Sequence, residues 1–353
     1  MKLAIVGLPQ AGKTTVFNAL TGSHLAPVMS GGRVEIHKAV VDVPDGRLLR
    51  LAELYASKKI VHAQITFADV AGFGAGEASE GLPPALLNAL SGMDGLLLVL
   101  RAFEDESVPH VKSSVDAARD LSLLLDEFLL NDLIAVERKL ERLGEERQKA
   151  GRDAAAVERE QVLFQRLQAA LSDGQALRDV NLSADERESI SGLGLLTQRS
   201  ILVVLNLGEG QAEPAVEAGS LPVLGLQGKL EMELAQLPEA DASEFLAEYG
   251  LEESSARRVI RAAFELLETQ TFYTLGEPEA HAWMLPRGAS ALEAAGTIHS
   301  DIARGFIRAE IVAADELLEF GGMAAAREKG RLRLEGKEYV MQDGDIINVR
   351  FNV

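Results

Sequence analysis

A short apolar strand at residues 2–6 runs directly into Gly7-Leu8-Pro9-Gln10-Ala11-Gly12-Lys13-Thr14, and Thr15-Val16-Phe17-Asn18-Ala19-Leu20 continues as a helix. This G-x-x-x-x-G-K-[ST] run in a strand–loop–helix setting limits what the chain can fold into. Its glycines let backbone N–H groups turn inward around a polyphosphate, and the new helix aims its positive end at the same place. Lys13 is placed to reach β- and γ-phosphates, and the Thr14 hydroxyl to ligate Mg²⁺. Candidate nucleotide contacts here are Gly7, Pro9, Gln10, Ala11, Gly12, Lys13, Thr14 and Thr15.

Around that loop, an α/β rhythm implies a mostly parallel sheet with helices on both faces. Strands are expected over 33–43, 60–68, 95–101, 200–205 and 221–226, and helices over 46–57, 84–92 and 241–268. Pro44-Asp45-Gly46 is a turn signal. From Asp126 to Leu171 the pattern becomes helical and charged. Leu133, Val136, Leu140 and Leu143 step by three and four, and Leu163, Leu167 and Leu171 resume the seam beyond Gly144 and Gly151. An inserted antiparallel helical hairpin is expected. A glycine-punctuated tail follows. The expected division is a discontinuous nucleotide domain over 1–125 and 196–268, a helical insertion over 126–195, and an α+β module over 269–353.

The 353 residues contain no cysteine, which removes disulfides and thiolate metal sites. A net charge of −19 argues against indiscriminate nucleic-acid binding. No sequence-specific DNA partner is expected. The longest apolar run, Leu96 to Leu100, is too short for a bilayer, and the strand at residue 2 leaves no room for a signal peptide. A cytoplasmic protein without a membrane role is expected.

Two further motifs belong with the loop. Asp69-Val70-Ala71-Gly72 ends an apolar strand, where a carboxylate holds Mg²⁺ and a glycine N–H senses the γ-phosphate. Phe73 follows, where Ras-like enzymes carry a water-orienting glutamine, so any hydrolysis must recruit another polar group. Asn206-Leu207-Gly208-Glu209 stands in the place of the guanine-reading Asn-Lys-x-Asp. A glutamate there is too long for the bidentate contact to guanine, which shifts the expected base toward adenine. Asn206, Leu207, Glu209, Gly228 and Lys229 are the candidate base-side residues, and Thr14 and Asp69 the candidate metal ligands.

The chain resembles the YchF subfamily of Obg-related P-loop NTPases. The resemblance is carried by Gly7–Thr14, Phe17–Thr21, Val43-Pro44-Asp45-Gly46-Arg47-Leu48, Asp69–Gly72, Arg101-Ala102-Phe103-Glu104 and Asn206-x-x-Glu209. In the tail it is carried by Ala294–Asp301, Gly305–Glu310, Arg333–Lys337 and Arg350–Val353. It implies a Ras-like P-loop domain with the helical insertion and a C-terminal, β-grasp-like TGS domain. It further implies Mg²⁺-dependent hydrolysis of ATP in preference to GTP, association with ribosomes, and a catalytic part for His110 beside Lys13. The stretch Arg327, Lys329, Arg331, Arg333 and Lys337, with Arg304 and Arg308, fits a ribosomal partner. Gln10, Ala11 and His281 depart from the family pattern. So does the segment 28–34, which lacks its threonine and offers only Ser30. These changes leave open a GTPase of the same architecture, or an adaptor that binds nucleotide with little hydrolysis.

Overall fold

The computed structural model describes residues 1–26, 35–70, 82–147, 154–248 and 253–352. The chain begins β1 (Lys2–Val6), α1 (Lys13–Thr21), β2 (Ile36–Asp42), α2 (Gly46–Leu54), β3 (Ile60–Val61), β4 (Gln64–Val70), α3 (Pro84–Ser91) and β5 (Gly95–Arg101). Two long helices, α4 (Ala117–Arg147) and α5 (Ala154–Ser172), precede the shorter α6 (Ala184–Ser191). Then come β6 (Ser200–Asn206), β7 (Val223–Leu226), α7 (Gly228–Leu234), α8 (Glu239–Glu248) and α9 (Ser255–Leu266). The tail comprises β8 (Thr269–Leu275), β9 (Ala280–Pro286), α10 (Ala291–Ile298), α11 (Ser300–Arg304), β10 (Phe306–Ala313), α12 (Ala314–Phe320), α13 (Met323–Glu328), β11 (Arg333–Glu335) and β12 (Asp345–Phe351). Among the described residues no helix is long and apolar enough to cross a membrane.

Two compact units result. The first takes Met1–Ala39 and Thr66–Val259. Its sheet runs β2-β4-β1-β5-β6-β7, with the last five strands parallel. All seven residues of β5 are buried, the signature of a strand covered on both faces. The order reverses around β1, between β4 and β5, so the loops at the carboxyl ends of these strands open a crevice where α/β sheets bind ligands.

The helical hairpin extends further than its sequence pattern. The seam residues Val136, Leu143, Leu163, Leu167 and Leu171 are buried together. The Lys139–Glu160 ion pair (2.6 Å) and the Gln168-to-Glu137 hydrogen bond (3.2 Å) fit antiparallel helices. But α4 starts at Ala117, and Ala117, Leu121, Leu124 and Phe128 pack into the core of the sheet. One continuous helix thus serves two cores, which the charged repeat alone does not reveal.

Asp132, fully buried on α4, closes the insertion. Its carboxylate accepts from Leu196 N (2.9 Å), Thr197 N (2.7 Å) and the Thr197 hydroxyl (2.6 Å). Burial pushes its carboxyl above the usual carboxylate range even though these bonds oppose the shift.

The second unit takes Val40–Ile65 and Ile260–Val353, a grouping absent from the expected three-part division. Its sheet runs β11-β10-β12-β8-β9-β3. The outermost strand is supplied from far upstream: Ile60 and Val61 pair with Ala280 and His281. The expected strand over 60–68 is accordingly two strands, β3 and β4, in different sheets. Helix α10, capped by the Ser290/Glu293 box, packs Ala291, Ala294 and Ala295 on Phe272, Ile311 and Ile347. The Val43–Leu48 turn is bound into the same unit. Asp45 caps α2 by accepting from Arg47 N and Leu48 N, and it also accepts the Tyr273 hydroxyl. Arg47 pairs with Asp343 at 2.8 Å.

Replacing Asp132 by alanine leaves two backbone donors and one hydroxyl without their buried acceptor. The expected loss is roughly 2–4 kcal/mol. Hydrogen exchange at Leu196 and Thr197 should accelerate accordingly; unchanged protection there would show that the carboxylate does not pin this turn.

Candidate functional site

The loop between β1 and α1 closes on itself through Ala11 N to Leu8 O (3.3 Å) and enters the helix with Val16 N bonded to Gly12 O (2.9 Å). Two of its residues are left-handed, Gln10 (φ 64°) and Gly12 (φ 86°). A long side chain at the first position carries strain that a glycine would not. At the second, only glycine fits. A Cβ on Gly12 would lie 2.1 Å from Asn206 Nδ2, and one on Gly7 would lie 2.3 Å from the Val99 carbonyl oxygen. The loop is therefore pressed against the ends of β5 and β6.

Lys13 folds back over this loop. Its ammonium donates to the Gly7 and Leu8 carbonyls, both at 3.0 Å. Burial lowers its pKa to about 8, with the nearby Asp69 charge acting in the opposite direction. A part-buried cation held mainly by neutral carbonyls is a ready acceptor of polyphosphate charge. Next to it, the Thr14 hydroxyl donates to Asp69 Oδ2 at 2.7 Å. Among the described residues the other carboxylate oxygen, Asp69 Oδ1, is buried without a hydrogen-bond partner. A hydroxyl and a carboxylate are the hard oxygen donors that Mg²⁺ takes, and an orphaned carboxylate oxygen beside them fits that ion.

On the base side the Asn206 carboxamide is a brace. Its Nδ2 donates to the Ala11 carbonyl (3.0 Å), and its Oδ1 accepts from Gly228 N (3.2 Å). Leu207 is buried in the core of the sheet, whereas Glu209 and Lys229 are exposed. Pro9 and Thr15 are half-buried in the loop and first helical turn. Gly72 and Phe73 fall within 71–81, and Ser30 within 27–34, outside the described residues.

His110 has both ring nitrogens engaged. Nδ1 accepts from Lys112 N (3.0 Å), which leaves the proton on Nε2, 2.9 Å from Asp120 Oδ2. Its side chain is only 4% exposed, and Asp120 is also bound by Arg119.

Residues without an assigned part in the sequence reading complete the surroundings. Phe103 Cε1 lies 3.7 Å from where a Gly12 Cβ would sit, so this ring borders the loop. The buried Arg101 guanidinium stacks 4.5 Å from the centre of the same ring and donates to the Phe103 carbonyl. Asn18 grips the chain beyond α1 through both Leu25 N (3.1 Å) and Leu25 O (2.9 Å). All three lie in stretches that carry the family resemblance, Phe17–Thr21 and Arg101–Glu104, but their contacts with chain segments outside those stretches are not readable from the sequence.

Two family models match the chain. One, the YchF-GTPase C-terminal family, is described as a protein of unknown function (DUF933) and covers residues 269–352. The other, described as a 50S ribosome-binding GTPase, covers residues 2–150. A "Ribosome-binding ATPase YchF" of Bacillus subtilis is 38% identical over 366 residues, spanning 99% of this chain and 98% of the relative. The chain belongs to the YchF family. A YchF protein of Pasteurella multocida is 36% identical, covering 100% of this chain and 99% of its own. "Obg-like ATPase 1" of Oryza sativa subsp. japonica is 34% identical, with 100% and 92% covered. The solved YchF GTPase of Schizosaccharomyces pombe superposes with a TM-score of 0.84 at 29% identity, covering 99% and 97% of the two chains. This YchF protein is a nucleotide-binding P-loop NTPase of mixed α/β fold.

Replacing Gly12 by alanine combines an unfavourable positive φ with a methyl group driven into Asn206. Triphosphate affinity should fall about a hundredfold, on the order of 3 kcal/mol. Calorimetry reads this directly; an affinity within threefold of the unmodified protein would contradict the close approach.

Proposed function

We propose that this YchF protein hydrolyses ATP to ADP and phosphate in a Mg²⁺-dependent reaction and acts in the cytoplasm as a slow, ribosome-associated switch. The observation that carries the nucleotide part is the Lys13 ammonium folded onto the loop carbonyls beside the Thr14–Asp69 pair, whose second carboxylate oxygen has no partner among the described residues. Bound Mg²⁺, held by Thr14 and Asp69 together with phosphate oxygens, would supply charge neutralisation at the β- and γ-phosphates. Water attacks the γ-phosphorus in line; its bond to phosphorus forms as the bond to the β–γ bridging oxygen breaks. Lys13 and the N–H groups of the loop offset the charge that accumulates on the leaving group.

Adenine as the base is supported by Glu209 in place of the shorter aspartate and by the names of the relatives, several of which are ATPases. GTP is the second reading, favoured by the GTPase description of the N-terminal family model and of the fission-yeast structure. Nucleotide contacts are proposed at Gly7, Pro9, Gln10, Ala11, Gly12, Lys13, Thr14, Thr15, Gly72, Asn206, Leu207, Glu209, Gly228 and Lys229.

Ribosome association rests on the names of the relatives. The tail contributes less free positive charge than its composition suggests, because Arg304, Arg327, Arg331 and Arg333 each lie within 3.5 Å of a carboxylate oxygen.

His110 is proposed to help place the attacking water, which requires its Nε2 to leave Asp120. Phosphate release with ATP should exceed that with GTP. His110→Ala should lower ATP turnover about a hundredfold with the dissociation constant for ATP within twofold. Faster GTP turnover would overturn the adenine reading, and equal turnover by the variant would remove His110 from the mechanism.

A further inference from the structure

Beyond the last rung shared by β5 and β6, Ala102 N to Asn206 O at 3.0 Å, the two chains part into loops. One carries Phe103, which borders the phosphate loop. The other is the Asn206–Glu209 turn. A single side chain ties them together. Gln211 Nε2 donates to the Ala102 carbonyl at 2.7 Å, and Gln211 Oε1 accepts from Gly208 N at 2.9 Å. Its own N–H returns to Gly208 O at 3.2 Å, so the glutamine closes the turn from inside. Next to it, Gly210 (φ 66°) donates to Gln227 Oε1 at 3.3 Å, which tethers the turn to the end of β7.

The consequence falls on the base end of the site. Gly208 lies so close to Phe103 that a Cβ there would sit 3.7 Å from the Cβ of Phe103 and 3.2 Å from Gln211 Oε1. Glu209 follows Gly208 and is exposed, so the backbone of the turn sets the point from which its side chain leaves the chain. Asn206 has already committed one donor and one acceptor position to Ala11 and Gly228. Gln211 donates to one loop and accepts from the other, which only a neutral carboxamide of this length does at once. A glutamate keeps the acceptor but sets a carboxylate oxygen against the Ala102 carbonyl. A methionine keeps the length and loses both bonds.

We propose that Gln211 is a positioning residue for the purine base: it holds the Asn206–Glu209 turn against the Phe103 segment and thereby sets affinity for the nucleoside half of the ligand, without contacting the phosphates. This rests on the nucleotide-site reading given above. No bond from the Gln211 carboxamide reaches Lys13, Thr14 or Asp69, and Asn206 keeps its own bonds to Ala102 N, Ala11 O and Gly228 N, so losing Gln211 loosens Gly208 and Glu209 rather than the phosphate end.

The test compares two Mg²⁺-bound probes in the full chain, ATP and inorganic tripolyphosphate, by calorimetry. Gln211→Met and Gln211→Glu should each weaken ATP about tenfold, as expected from losing one or two hydrogen bonds that order a binding loop. Tripolyphosphate affinity should stay within twofold, and the preference between ATP and GTP should narrow. Equal weakening of ATP and tripolyphosphate would reduce Gln211 to a support of the fold; unchanged ATP affinity in both variants would leave it no part. The glutamate variant carries the test if the methionine variant does not fold. Should the unmodified protein prefer GTP, the adenine reading fails, while the same comparison with GTP in place of ATP still decides the role of Gln211.

Discussion

The Asn206 carboxamide is the interaction on which the rest of the site depends. It sits at the end of β6 and reaches both the phosphate loop, through Ala11 O, and the start of α7, through Gly228 N. Three segments far apart in sequence thereby share one side chain. The backbone must come close for this to happen, which is why Gly12 and Gly228 have no room for a Cβ: one there would lie 2.1 Å and 2.5 Å from the Asn206 amide. A neutral hydrogen bond contributes only about 1 kcal/mol, but breaking this pair strands buried partners at both ends. Geometry, more than energy, is what the brace supplies.

Electrostatics gives that geometry its purpose. On a chain of net charge −19, the phosphate loop holds a part-buried ammonium against the Gly7 and Leu8 carbonyls. Lys13 is held below its ordinary pKa because burial outweighs the help of Asp69. Asp69 in turn leaves an oxygen without a partner among the described residues. Such groups are costly alone and are satisfied together by a polyphosphate with its cation. The Asp69 oxygen beside the Lys13 ammonium thus marks the phosphate end of the loop.

Much of this was legible in the sequence because it is local. The strand–loop–helix at residues 2–21, the buried run of β5 and the heptad seam of α4 and α5 each announce themselves within a dozen residues. What escaped is non-local. Strand β3 has two residues and no periodicity, and its partner β9 lies more than 200 positions downstream, so its place in the second sheet is invisible in advance. The Val43–Leu48 turn reads as a family motif, yet its polar groups serve Tyr273 and Asp343. Asn206 reads as a base contact, and its observed bonds are to the protein's own backbone. Gln211 carries no motif at all; its meaning arises only when Ala102 and Gly208 are brought within reach of one amide.

The Asn206 brace is tested most directly by the affinity for ATP when Asn206 is replaced by aspartate, the smallest change that removes the donor. A carboxylate there keeps its size and can still accept from Gly228 N, but it opposes the Ala11 carbonyl with a second oxygen. The brace predicts ATP affinity lower by about a hundredfold, measured below the melting transition, together with a lowered melting temperature, because a buried carboxylate then faces a carbonyl oxygen. An Asn206→Asp protein that binds ATP within twofold of the original would contradict the claim that this carboxamide holds the phosphate loop in its binding geometry.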